Sequence, residues 1–166
     1  MITKMDMWNK LPANVSGWSE SPYAILKTYE IAQRGAVMEH ICQGVLEHNG
    51  HEVTGRTTSG NDRVVDGKMA EIKGAMVGRD GSFTINQIRP SQDYKHIFML
   101  LLYKNHWELW KADKENYMGD GQHPGLAYQH GGKKAEGNTL IYKFKGSPAQ
   151  AEKIYEGSDI SESEEW

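Results

Sequence analysis

A single cysteine, Cys42, leaves the chain without any internal disulfide and points to a reducing compartment. No apolar run is long enough to cross a bilayer. The longest, residues 97–103 (Ile-Phe-Met-Leu-Leu-Leu-Tyr), has the length of a buried strand. Met1 to Pro12 mixes charges with apolar side chains and lacks the apolar core of a signal peptide. No membrane partner is therefore expected, and the expected location is cytoplasmic. Cys-x-x-Cys and His-x₃-His spacings are also missing, which argues against a structural zinc despite His123 and His130. Nor is there a basic excess: the formal net charge is −3. That charge is unevenly spread. Residues 156–166 carry Glu156, Asp159, Glu162, Glu164 and Glu165 with no Lys or Arg, and the body ahead of them is left at +2. Such a segment is expected to be solvated and disordered. Net charge alone neither demands nor excludes a nucleic-acid partner.

What is present suffices for one domain with a real core, 38% of 166 residues being hydrophobic. We expect a single domain over residues 1–155, opened by an arm (1–18) that packs through Met5, Met7, Trp8, Leu11 and Trp18. Helical spacing begins after Ser21-Pro22 and continues to about Ala32. A second run, 35–48, ends at Asn49-Gly50, a C-terminal stop signal; Gly35 either separates the two helices or is absorbed. Then come a short strand (51–56), a polar loop, a hairpin, and a strand giving way to a short helix (83–90). Strands at 96–103 and 106–111 precede a weak helix at 112–118 and a long loop at 119–137. A strand (138–144) and a last helical turn (149–155) complete the body. This order implies an α/β or α+β fold with a mixed central β-sheet flanked by helices.

The hairpin, residues 62–73 (Asp-Arg-Val-Val-Asp-Gly-Lys-Met-Ala-Glu-Ile-Lys), carries the chemistry. Asp66-Gly67 is a two-residue turn between strand formers, and a turn of that length fixes the register. Counting outward pairs Val65 with Lys68, Val64 with Met69, Arg63 with Ala70, and Asp62 with Glu71. Lys73 points from the same face as Glu71. Opposed residues have Cβ atoms about 5 Å apart, so two carboxylates there repel. A divalent cation between them reverses the sign of that interaction. Asp66 is the rival aspartate, but its place in an Asp-Gly turn already explains it.

Asp62, the hairpin, and Glu71-Ile72-Lys73 resemble the Asp…(Asp/Glu)-x-Lys core of the PD-(D/E)XK nuclease superfamily. The preceding helix with Gly35 and Glu39, and the Ser59-Gly60-Asn61 lead-in, resemble it too. The likeness covers roughly residues 34–75 and lacks a proline before Asp62. It implies a restriction-endonuclease-like core and Mg²⁺-dependent phosphodiester hydrolysis, with Mn²⁺ able to substitute. It implies Asp62, Glu71 and the Ile72 carbonyl as metal ligands, with Glu39 joining directly or through water. Lys73 would orient or help deprotonate the attacking water, with its pKa lowered by burial and the nearby metal. One or two metal ions remain equally open. The partner implied is double-stranded or branched DNA. Basic and polar residues downstream are candidates for its contacts: Asn86, Gln87 and Arg89, then His123, His130, Lys133 and Lys134 in the long loop. Sequence-specific cleavage of the restriction kind by a homodimer is the leading expectation, since one site per chain must become two to cut both strands. A homing endonuclease, a Holliday-junction resolvase and a nicking subunit share the same core. A non-catalytic DNA-binding module is the alternative of a different class.

Overall fold

Tight local bonding fixes the first long helix, α1 (Ile31–His48). The Arg34 guanidinium donates back to the carbonyls of Leu26 and Tyr29, tying α1 to the 3₁₀ turn Ala24–Thr28 before it. At the other end Gly50 adopts φ 88°, with Gly50 N–H donating to Glu47 O and His51 N–H to Leu46 O. This pair of bonds is a Schellman stop, which glycine permits at no steric cost. Gly35 is absorbed within α1 rather than breaking it. The structure, a computed structural model, describes Trp18 and residues 21–55, 62–118, 125–128 and 139–158.

The strands are β1 (Val53–Thr54), β2 (Arg63–Val65), β3 (Lys68–Met76), β4 (Ser82–Ile88), β5 (His96–Leu102), β6 (Trp107–Asp113), β7 (Leu126–Tyr128), β8 (Leu140–Lys145) and β9 (Glu152–Gly157). A short helix, α2 (Lys114–Met118), follows β6. One sheet has the order β1-β2-β3-β5-β6-β9, and a smaller one the order β4-β8-β7. The β3–β5 pair is parallel and every other pair antiparallel, so the central sheet is mixed, as expected. β5 is buried along its whole length.

Strand alternation sorts the core into two layers. Ala70, Ile72, Phe98, Leu100 and Leu102 face α1, whose buried stripe is Met38, Cys42 and Leu46. Ala75, Ile97, Met99 and Leu101 face the other way, packing with Phe83, Ile85 and Ile88 of β4. At Gly74 the helix comes closest. A methyl group there would lie 2.7 Å from Met38 Cβ, so only glycine fits beneath the helix. The sheet's two outer strands are both irregular. β1 is two residues long, and β9 carries a register shift opposite Leu109/Trp110 and exposes Glu152, Lys153 and Glu156.

Four expectations are corrected. Residues 83–90 hold no helix: β4 runs to Ile88, and a bulge between Ile85 and Ile88 turns Gln87 to φ 55°. The bulge lets two apolar residues three apart both point into the core, which a regular strand forbids. Residues 149–155 do not form a helical turn; most of them belong to β9, because pairing with β6 outweighs local helical preference. The acidic segment therefore starts inside a strand at Glu156, while 159–166 lie outside the described residues. The loop at 119–137 contains β7, which pairs with β8. Of the N-terminal arm, only Trp18 is described, and it is buried in the α1-side core.

Candidate active site

The hairpin register is the one read from the turn: Val65 pairs with Lys68, Val64 with Met69 and Arg63 with Ala70. Asp66 (φ 50°) and Gly67 (φ 78°) both occupy left-handed backbone, as a type I′ turn requires. The ladder stops at Arg63. Asp62 N–H donates to Ala70 O at 3.0 Å, and the Asp62 carboxylate accepts the Ile72 N–H at 2.8 Å. The carboxylate of Asp62 is therefore held at the edge of β3, alongside Glu71.

Glu71 is 4% exposed and lies on the face of β3 opposite α1, aligned with Ile97 across the parallel pair. Its Oε1 is 2.8 Å from the Lys73 ammonium. Its Oε2 is buried and has no hydrogen-bond partner among the described residues. Burial pushes the Glu71 pKa above its ordinary 4.5. The Lys73 ammonium opposes that rise and the Asp62 carboxylate adds to it. A buried, half-satisfied carboxylate beside a second one is costly unless a cation joins them. Among the described residues, no three His, Cys, Asp or Glu side chains are grouped to hold a metal by themselves. Two carboxylates with water completing the shell suit Mg²⁺, which keeps most of its hydration. They do not suit zinc, which wants three or four protein ligands. The Asp62–Glu71 pair and its orphaned oxygen fit a hard divalent ion.

Glu39 is placed differently from Asp62, Glu71 and Lys73. It sits on α1, across the sheet from Glu71, with its Oε2 3.6 Å from Arg63 Nη1. Arg63 alternates with Asp62 and so projects toward α1. Its Nε donates to Gln43 Oε1 at 3.0 Å, and Nη1 donates to the Asp62 carbonyl at 2.8 Å. The helix glutamate thus anchors the arginine that holds the Asp62 backbone. Cys42 lies nearby as a core residue; burial drives its thiol pKa far upward. What Ile72 brings to Asp62 is its N–H, so its amide orients the carboxylate whatever its carbonyl does.

Two residues of the site were not anticipated from sequence. One is Arg63. The other is Tyr94, 4% exposed, whose phenol pKa is raised by burial and then by the Glu71 and Asp62 charges. Its hydroxyl donates to Arg89 O at 3.2 Å, tying the segment after β4 to the carboxylate pair. A regular strand repeat does not mark Tyr94; only its position just before β5, parallel to β3, brings it to Glu71. A groove of about 530 Å³ opens beside it, with Lys68, Met69, Tyr94, Lys95 and Lys114 among its walls. The Lys114 ammonium lies 4.6 Å from the Tyr94 ring centroid, and Lys95 N–H donates to Met69 O. Asn86, Gln87 and Arg89 are exposed at the β4 bulge and just beyond it. His123, His130, Lys133 and Lys134 lie outside the described residues.

No family model matches the chain, and no curated protein matches it. Among solved structures, a bacterial homing endonuclease is similar at 10% identity and a TM-score of 0.46, covering 75% of this chain and 82% of its own. At that distance the match carries no weight for activity, and the site's own geometry has to decide.

Proposed function

We propose that the chain is a Mg²⁺-dependent DNA endonuclease with a PD-(D/E)XK-type site. The observation that supports this most is the buried Glu71 carboxylate, one oxygen on Lys73 and the other without a hydrogen-bond partner among the described residues, beside the Asp62 carboxylate. Asp62 and Glu71 would hold the ion, which when bound neutralises phosphate charge and acidifies a coordinated water. Asp62 is pre-oriented by the Ile72 N–H and by Arg63 on its carbonyl. The Lys73 ammonium, 2.8 Å from Glu71 Oε1, would orient the attacking water and offset charge growing on the phosphoryl oxygens. Water attacks phosphorus, the bond to the leaving oxygen breaks, and that oxygen takes up a proton. Lys68, Lys95 and Lys114 outnumber Asp93 and Glu115 in the walls of the neighbouring groove and suit a nucleic-acid backbone, and Asn86, Gln87 and Arg89 suit base or phosphate contacts. A homodimer making a double-strand cut at a specific sequence is the arrangement we favour within this class.

Incubation with supercoiled plasmid, linear duplex and branched DNA, in Mg²⁺ or in EDTA, tests the proposal. Mg²⁺-dependent nicking or cutting is expected. If no substrate is cut while DNA is still bound, the chain is a binding module and the catalytic reading is wrong.

A further inference from the structure

At the turn end of the same hairpin, on the α1-facing side of the sheet, lies a second pocket that shares only Lys68 with the groove beside the proposed nuclease site. Its volume is about 140 Å³, and its walls include His51, Asp66, Lys68, His96, Lys111 and Tyr155. We propose that this pocket binds a tetrahedral oxyanion that carries a proton, of which hydrogenphosphate is the simplest.

The pocket's one carboxylate, Asp66, is already used within the protein. Asp66 Oδ2 is 2.7 Å from His51 Nδ1, and Asp66 Oδ1 accepts the Glu52 N–H at 2.9 Å. Outside the pocket wall, Asp113 Oδ1 is 2.8 Å from His96 Nδ1. Among the described residues no ion pair engages Lys68 or Lys111, although Lys111 Nζ lies 6.0 Å from the Phe98 ring centroid. The ammoniums of Lys68 and Lys111 both act on His96, and Lys111 also acts on Asp66, so both cations lie close to the cavity. An anion entering here meets two cations and one carboxylate, Asp66, whose two oxygens are already engaged.

His96 adds the demand for a proton. The residue is 7% exposed, and its Nε2 is buried with no hydrogen-bond partner among the described residues. Nδ1 carries the hydrogen that Asp113 accepts, so in the neutral ring Nε2 is a bare acceptor. Burial, with Lys111 and Lys68 nearby, keeps the ring neutral against the pull of Asp113. His51 is oriented likewise: Nδ1–H donates to Asp66, and Nε2 accepts the Tyr155 hydroxyl hydrogen at 2.6 Å. That leaves lone pairs on the Tyr155 oxygen as well. The pocket combines cations with hydrogen-bond acceptors. Hydrogenphosphate answers both, with charged oxygens for the lysines and an O–H for His96 Nε2. Sulfate answers only the first. The volume lies below the roughly 300–1,000 Å³ of pockets for organic ligands, so a free ion fits and a nucleotide does not.

The test is thermal denaturation of the whole chain without divalent metal, in phosphate, sulfate or chloride at matched ionic strength. Phosphate should raise the melting temperature saturably above chloride, and sulfate should do so less. Phenyl phosphate should add nothing beyond ionic strength. Lys111→Ala should raise the half-saturating phosphate concentration at least about tenfold. Lys114→Ala, in the other groove, should leave it unchanged. Phosphorus-31 line broadening on wild-type protein reads the same binding without any variant. Equal responses to phosphate and chloride, or to phosphate and sulfate, would overturn the proposal. So would a phosphate effect lost in Lys114→Ala but kept in Lys111→Ala, or a phenyl phosphate effect equal to that of phosphate. None of these outcomes depends on DNA cleavage, so they stand apart from the nuclease reading.

Discussion

Asp62 and Asp66 sit at opposite ends of one short strand segment, and the structure treats them in opposite ways. Asp66 closes the turn. One of its oxygens takes the Glu52 N–H and the other takes His51, and these bonds hold its pKa below the ordinary aspartate value. At the other end Asp62 Oδ2 accepts the Ile72 N–H, and the carboxylate lies beside a glutamate whose pKa is pushed up and whose Oε2 has no hydrogen-bond partner among the described residues. Two aspartates of identical chemistry thus divide into one that closes a turn and one that stands beside a buried glutamate oxygen with no hydrogen-bond partner among the described residues. Deficits of this kind mark where a ligand belongs.

The sharpest way to break that comparison is to exchange the consequences of losing each aspartate. Asp62→Ala should lower Mg²⁺-dependent cleavage by at least about 10³-fold, the equivalent of several kcal/mol of lost charge stabilisation, while DNA binding persists. Lys73→Ala should act in the same direction. Asp66→Asn should leave cleavage near the wild-type rate and lower only the melting temperature. If Asp66→Asn abolishes cutting and Asp62→Ala does not, the two roles have been assigned the wrong way round. Plasmid nicking measured beside thermal melts settles which.

Ile72→Ala comes next. It removes a side chain only 2% exposed beneath α1 and should cost about 2–5 kcal/mol by chemical denaturation. Gly74→Ala should cost about 1–3 kcal/mol by crowding Met38. Both act on the scaffold, so any loss of cleavage should follow the loss of folded protein.

The subtlest test is of pH and metal together. Glu71 has a folded-state pKa above its unfolded value, so the folded chain binds more protons in this range. Its contribution to stability is fully present below the ordinary 4.5 and is lost as pH rises through the raised folded-state value. A bound divalent cation favours the ionised form and should offset that loss. Mg²⁺ should therefore raise the melting temperature more at neutral pH than in acid, and Asp62→Ala should erase the difference. The acidic limb of the cleavage profile should lie above the ordinary glutamate value and move down as Mg²⁺ increases.

The hairpin was legible in the sequence because a two-residue Asp-Gly turn sets register by counting, and the pairing of Val65, Val64 and Arg63 follows from it. The α1 stop was legible because Asn-Gly has one strong local use. Tyr94 and Arg63 were not, since their roles depend on the parallel β3–β5 pairing and on the packing of α1, both contacts across the chain. The misassigned segments fail for the same reason. β9 is a strand because β6 offers it an edge, and the β4 bulge exists because two apolar side chains three apart must share one core. Glu39 was expected from the family likeness to join the metal directly or through water; the fold adds its contact with Arg63, Oε2 to Nη1 at 3.6 Å, which the sequence does not mark.

The irregular outer strands have a consequence for how two copies could work on one DNA. Among the described residues, a two-residue strand at one margin and a shifted, charge-bearing strand at the other offer no straight row of amides and carbonyls for a neighbouring chain to extend. Joining the sheets of two copies into one continuous sheet is therefore disfavoured. A homodimer of the kind proposed would then form through side chains of helices and loops, and that choice of surface, rather than the sheet, would set the distance between its two sites.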